Sequence, residues 1–326
     1  MRVNYFFRHP NVGHSIHRVF RTIIGEVEKN ATISSFEVPS TGSMPHDVIR
    51  NISYTYGKRN KNAIHHVTGH IHDVLLGLVG VKTILTVHDL VFLDNVKNPI
   101  KRAYKWFFWL YLPIKIADVV VCISNQTKEN ILSKIKTDKL KVIHNPIDPI
   151  FSYSPKIFNT QKPIILHIGT GWNKNLKRTI IALENIPCHL RIIGELKPSQ
   201  LTLLRKYKIE FSNSQNLSDD DIKKEYIDCD IVNFPSLYEG FGMPVIEGQK
   251  TGRIVITSKI EPIMEVSGEA AILVNPTNIN SIREGFLSII ANASYRDEII
   301  KKGIQNSERF SIQNIASQYL KLYRNL

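Results

Sequence analysis

Two carboxylates eight residues apart, Glu239 and Glu247, bracket the run Glu239-Gly-Phe-Gly-Met-Pro-Val-Ile-Glu247. An ionised carboxylate only accepts hydrogen bonds and can take two from neighbouring hydroxyls. Beside bound phosphate, whose like charge repels it, such a group suits a sugar better than the phosphate itself. Gly240 and Gly242 let the backbone approach a ligand closely, and unpaired N–H groups at a helix start favour an anion such as a diphosphate. Glu247 also has a plainer reading, as an early-turn acid favoured by the helix dipole.

These side chains must be held by a strand, a glycine-rich loop, a short helix and a second strand. Asp230-Ile-Val-Asn-Phe234 is an apolar run of buried-strand type, and Pro244 suits a first helical position. Gly252 is a natural helix stop, and Arg253-Ile-Val-Ile-Thr257 is the next strand. A second loop of similar design lies upstream. The strand from Pro163 runs into Gly169-Thr-Gly-Trp-Asn-Lys174, glycines followed by a lysine, an arrangement that suits phosphate although G-x-G turns are common.

The first half alternates strands and helices in the rhythm of a parallel sheet. A first strand at Met1–Phe7 leads through His9-Pro-Asn-Val-Gly-His14 into a helix with Ile16, Val19, Phe20, Ile23, Ile24 and Val27 on one face. Gly13 sits where a strand's carboxyl end meets a helix start, the place where ligands gather in open α/β sheets. Strands at Ala63–Thr68 and Lys82–Val87 follow, the second ending in His88-Asp89. Most of the 12 histidines read as packed or solvated residues, and His88 stands apart by its place at a strand tip. His65, His66, His70 and His72 are dense, yet no open metal geometry can be assigned to them. Ser218-Asp-Asp-Asp221 reads as an N-cap with first-turn acids rather than a metal motif.

Glu239-Gly-Phe-Gly-Met-Pro-Val-Ile-Glu247 resembles the E-x7-E signature of retaining glycosyltransferases of family 4. Thr251–Ser258 and Glu265–Pro276 follow that family too. The resemblance implies an α/β protein of the GT-B fold: two Rossmann-like domains whose parallel sheets face a central cleft, and a C-terminal helix crossing back to the N-terminal domain. The domains are expected at 1–150 for the acceptor side, 151–162 as a linker rich in Pro, Ser and Asn, 163–310 for the nucleotide-sugar side, and 311–326 for the crossover helix. Carried over residue by residue, Glu247 grips the ribose hydroxyls, while Glu239 and His88 lie at the donor sugar as the catalytic pair. Gly13, Gly169, Thr170, Lys174, Gly240, Phe241 and Gly242 complete the donor site. Two departures stand out. Val12-Gly13 replaces the family's glycine pair, and Thr170 occupies the position of its phosphate-binding arginine.

Net charge is +13, and residues 1–158 carry 21 Lys and Arg against 11 Asp and Glu. A basic half could face nucleic acid, lipid or phosphorylated substrates, and no nucleic-acid motif accompanies it. Lys101-Arg-Ala-Tyr-Lys-Trp-Phe-Phe-Trp-Leu-Tyr-Leu-Pro113 is basic and then densely aromatic, as interfacial helices are. No apolar run is long enough to span a bilayer, and three scattered cysteines indicate neither disulfides nor zinc.

The expectation is a metal-independent, cofactor-free hexosyltransferase in bacterial surface polysaccharide synthesis. Its donor would be a UDP- or GDP-sugar and its acceptor a glycan, lipid-linked. It would be cytoplasmic, peripheral on the inner membrane face, where an anionic surface is a further partner; no nucleic acid is expected. The rivals are a nucleotide-sugar epimerase of the same fold, a glycoside hydrolase using the paired carboxylates, and a non-catalytic binder of polyanions or membranes.

Overall fold

The structure, a computed structural model, describes residues 1–10, 14–42 and 44–326, and of His14 the backbone alone. Two compact units form: Met1–Pro146 together with Ile312–Leu326, and Ile147–Ser311.

The first unit holds a six-stranded parallel sheet in the order β2-β1-β3-β4-β5-β6. Its strands are β1 (Arg2–Phe7), β2 (Thr32–Glu37), β3 (Ile64–Val67), β4 (Thr83–Val87), β5 (Val119–Cys122) and β6 (Leu140–Val142). β3 and β4 are buried along their whole length, because helices cover both faces of a parallel sheet and leave no polar side to alternate with. β2 carries Thr-Ile-Ser-Ser-Phe-Glu on the sheet's edge, with none of its residues buried. Its weak apolar pattern is why it goes unseen in the sequence.

The helix His14–Val27 buries Ile16, Val19, Phe20, Ile23 and Val27 against this sheet. The last helix, Ile312–Arg324, buries Ile312, Ile315, Ala316, Tyr319 and Tyr323 in the same core. Each Ile, Val or Phe among them contributes roughly 1.5–3 kcal/mol when fully buried. A polar chain fixes the last helix's rotation. The Tyr323 hydroxyl lies 2.8 Å from the Tyr5 hydroxyl and 2.7 Å from His66 Nδ1, and His66 Nε2 is 2.8 Å from Thr86 Oγ1. The C-terminal helix therefore returns to the first unit, as the GT-B resemblance implies.

The stretch from Pro99 to Ile116 is helical throughout, with a π-helical turn over Trp106–Tyr111. Leu110 and Ile114 face the core, while Tyr104, Phe107 and Phe108 stay exposed.

The second unit holds another six-stranded parallel sheet, ordered β12-β11-β10-β7-β8-β9. Its strands are β7 (Ile164–Ile168), β8 (His189–Ile193), β9 (Phe211–Ser214), β10 (Ile231–Phe234), β11 (Ile254–Ser258) and β12 (Ile272–Val274). The helix Met243–Thr251 lies close on this sheet. A Cβ added at Gly248 would lie 3.0 Å from Val232 and Val255, so any larger residue would have to push these side chains aside. Ser218 caps the helix Asp219–Asp228, its Oγ accepting from the Asp221 N–H at 3.1 Å.

Residues 151–162, expected as a linker, belong to the second unit. Phe151 is buried and meets the Tyr226 ring edge-on at 5.1 Å. Lys156 Nζ pairs with Asp230 Oδ1 at 2.8 Å, and the Asn159 N–H donates to the same oxygen at 3.2 Å. A Pro- and Ser-rich composition forbids a regular element without telling whether the segment docks.

Both sheets have a point where the chain reverses direction across the strand order. It lies between β1 and β3 in the first unit and between β7 and β10 in the second. Open α/β sheets bind ligands at the carboxyl ends of such strands.

Candidate active site

In the second unit, the loops after β7 and β10 are stitched together at the switch point. The Leu237 N–H donates to the Asn173 carbonyl at 2.7 Å, and Asn173 Nδ2 donates to the Tyr238 carbonyl at 3.1 Å. Asn175, in the left-handed conformation at φ 63°, sends Nδ2 to the carbonyls of Pro235 (2.9 Å) and Pro276 (2.7 Å). Asparagine tolerates this conformation and holds donors short enough to bridge loops.

This stitching brings Lys174 and Glu239 together. Lys174 Nζ lies 2.6 Å from Glu239 Oε1 and 4.6 Å from the centre of the Phe234 ring. The lysine stem packs on Gly169, where an added Cβ would approach Lys174 Cγ to 2.8 Å. Gly169 also has φ +90°, so glycine is required there twice over. The positive charge acts deep in the unit: burial, and then Lys174, pushes His167 down to about 3.

Glu247 is the fifth residue of its helix and 8 % exposed. Its Oε2 accepts from the Tyr226 hydroxyl at 2.6 Å. A carboxylate has about four acceptor sites, and the Tyr226 hydroxyl takes one of them. Gly242 caps the helix start at φ +110° and packs under Ile263. Gly240 is half-exposed in the loop. Phe241 is turned into the protein, 4 % exposed and edge-on to Phe310 at 5.8 Å; what it offers a ligand is backbone. Thr170, in the arginine position, donates its hydroxyl to the Glu195 carbonyl at 2.6 Å, and Gln200 Nε2 holds its carbonyl at 2.9 Å.

In the first unit, His88 follows β4 and is 7 % exposed. Its Nε2 donates to the Thr68 carbonyl at 2.8 Å, leaving Nδ1 as the acceptor of a neutral ring. Burial, and then His70, holds it down to about 4. Gly69, at φ +121°, makes room: a Cβ there would lie 2.5 Å from His88 Cδ2. Asp89 shapes the following turn, Oδ1 accepting from the Val91 N–H at 3.0 Å. The rings of His70 and His88 stack at 5.8 Å, and those of His70 and His72 at 6.3 Å. Gly13 lies outside the described residues. Among the described residues, no three His, Cys, Asp or Glu side chains are grouped to hold a metal ion.

Sequence reasoning passed over Tyr226, Asn173 and Asn175. Tyr226 lies 21 positions before Glu247 on another helix, and nothing local marks it.

A family model described as Glycosyltransferase Family 4 matches residues 13–151. A second, Glycosyl transferases group 1, matches residues 153–306. O-antigen chain mannosyltransferase B of Escherichia coli is 29% identical over 108 residues, covering 33% of this chain and 28% of that protein. The serotype-specific mannosyltransferase WbdA of the same organism is 24% identical over 263 residues, 72% of this chain and 32% of WbdA. The chain thus spans about a third of the length of these curated relatives. Among solved structures, Anabaena HepE in complex with UDP and glucose superposes with a TM-score of 0.80 at 14% identity, covering 100% of both chains.

Proposed function

We propose that this chain, which belongs to glycosyltransferase family 4 and has the GT-B fold, moves a hexose from a nucleotide sugar to a glycan in surface polysaccharide assembly. The observation that carries the reading is the Lys174–Glu239 pair at the switch point of the second unit. It puts a cation for a departing diphosphate beside a carboxylate for sugar hydroxyls. The curated relatives are named as O-antigen mannosyltransferases, and mannose is the first sugar to test. HepE was solved with UDP and glucose, which keeps both UDP- and GDP-hexoses as candidate donors.

The geometry suggests how the transfer runs. Glu247, oriented by Tyr226, accepts hydrogen bonds from both ribose hydroxyls. The loop at Gly169, Lys174 and the N–H groups at Met243 onward hold the diphosphate. Glu239 takes hydroxyls of the sugar. The anomeric carbon–phosphate oxygen bond breaks, and the acceptor oxygen bonds to the same carbon from the same face. Its proton passes to the leaving phosphate oxygen, so the anomeric configuration is retained without a protein nucleophile. Charge on the departing diphosphate is met by Lys174 and backbone dipoles, so the reaction is proposed to need no metal and to persist in chelator.

A membrane surface is the second partner proposed. Ile100, Tyr104, Phe107 and Phe108 are 80, 42, 39 and 36 % exposed on one basic helical stretch, beside the exposed Lys101 and Arg102. No helix among the described residues is long and apolar enough to cross a bilayer. Peripheral attachment on the cytoplasmic face would bring the enzyme to a lipid-linked acceptor.

Calorimetry against UDP-, GDP- and ADP-sugars, repeated with Glu247→Ala, tests the reading. One nucleotide should bind preferentially and be lost in the variant. Equal binding of all, or binding that survives the substitution, would refute the ribose grip.

A further inference from the structure

Arg8 follows β1, His70 follows β3 by three residues, and His88 follows β4. The registers pair Phe6 with Val67 and Val67 with Leu85, so Arg8 and His88, one step beyond their strands, and His70, three beyond its own, all lie at the same carboxyl edge. Arg8 and His70 flank the reversal point between β1 and β3, the ligand-binding position of this sheet. Glu239 and Lys174 hold the corresponding position in the other unit.

Arg8 is half-buried. Among the described residues no Asp or Glu forms an ion pair with it, and burial lowers its guanidinium with no carboxylate acting to raise it. Its charge reaches both His70 and His88 and helps keep them neutral. The main chain does not depend on the guanidinium, because the Arg8 carbonyl is held by His17 Nε2 at 3.1 Å. Asp89 comes within 3.7 Å of His70 Nε2, with its other oxygen tied to the Val91 N–H. A partly desolvated cation without a counter-charge at such an edge is stabilised by an anion. His70 adds a neutral ring, held at φ 55°, a strained conformation for a side-chain-bearing residue.

We propose that Arg8 is the residue with which the first unit binds a phosphate ester on the acceptor, with His70 as the second, neutral hydrogen-bond donor. This rests on the glycosyl-transfer reading, and it adds that the acceptor is anionic. Arg8 offers five N–H donors in a planar fork that matches two phosphate oxygens at once. Phosphate is also present in the donor, whose diphosphate has its own cradle at Gly169 and Lys174. The two sources are therefore separable by substitution.

The test uses the full chain and inorganic pyrophosphate as probe, followed by calorimetry in Lys174→Ala, which removes the donor cradle. Pyrophosphate should still bind Lys174→Ala, and adding Arg8→Gln should weaken it tenfold or more, with Arg8→Lys weakening it less. Arg8→Gln alone should leave UDP and GDP binding and the urea midpoint unchanged. Pyrophosphate binding abolished by Lys174→Ala and indifferent to Arg8→Gln would overturn the proposal. So would a lowered urea midpoint in Arg8→Gln, which would give Arg8 a structural role. Nucleotide binding indifferent to Glu247→Ala, with pyrophosphate binding still sensitive to Arg8→Gln, would leave the anion site standing and remove the transfer reading instead.

Discussion

Lys174 Nζ stands 2.6 Å from Glu239 Oε1, with 25 % and 13 % of the two side chains exposed. The cation proposed for the diphosphate is engaged by the carboxylate proposed for the sugar. The two residues are 65 apart in the chain, and donor binding must share or break their contact. Glu239→Gln should therefore bind UDP or GDP threefold to tenfold more tightly, a gain of about 1 kcal/mol for a partly exposed pair. Turnover should fall in the same variant. Calorimetry and a donor-consumption assay separate the two effects, and weaker nucleotide binding would contradict them.

Lys174→Ala should lose the leaving-group charge. A single preorganised charge of this kind is worth about 10²–10³ in kcat, and Lys174→Arg should recover part of it. Steady-state rates with the preferred nucleotide sugar, in chelator, provide the check.

Tyr226 orients Glu247 through a 2.6 Å bond in which the carboxylate accepts. Hydrogen bonds to charged groups contribute about 1.5–3 kcal/mol, so Tyr226→Phe should weaken nucleotide binding about tenfold or more. Pyrophosphate, which lacks a ribose, should bind as before. An equal loss for both ligands would mean the variant disturbs the whole site.

Acid should destabilise the first unit. Burial pushes His66 and His72 down to about 3 and His88 to about 4, against 6.5 in the unfolded chain. Between these values the unfolded chain takes up protons that the folded chain refuses, so stability falls as pH drops from 6.5 toward 4. At pH 5 each histidine costs about 2 kcal/mol relative to neutral pH. Urea titrations at pH 7 and 5 measure the slope. His72→Phe should flatten it, because it removes one protonation that burial suppresses in the folded chain.

The Tyr323 hydroxyl joins Tyr5 to His66. Tyr323→Phe leaves both buried groups short of a partner, at a cost of about 1–3 kcal/mol, read as a lower urea midpoint. Nucleotide binding, which the proposed function assigns to the other unit, should survive.

Much of this protein was legible residue by residue. The helix at Met243–Thr251 announces itself through Pro244 at its start and Gly252 at its end, and the interior strands through unbroken apolar runs. Both signals are local consequences of backbone geometry and of burial on two faces. The run Glu239–Glu247 likewise carries the family resemblance on which the proposed nucleotide-sugar site rests. Only tertiary structure decided what those groups touch. Asn175 had to turn left-handed to join two loops before Lys174 could meet Glu239, and Tyr226 had to arrive from another helix before Glu247 was oriented. Arg8, His70 and His88 became neighbours because β1, β3 and β4 pair in parallel, an ordering set by long-range packing that no short window of sequence encodes.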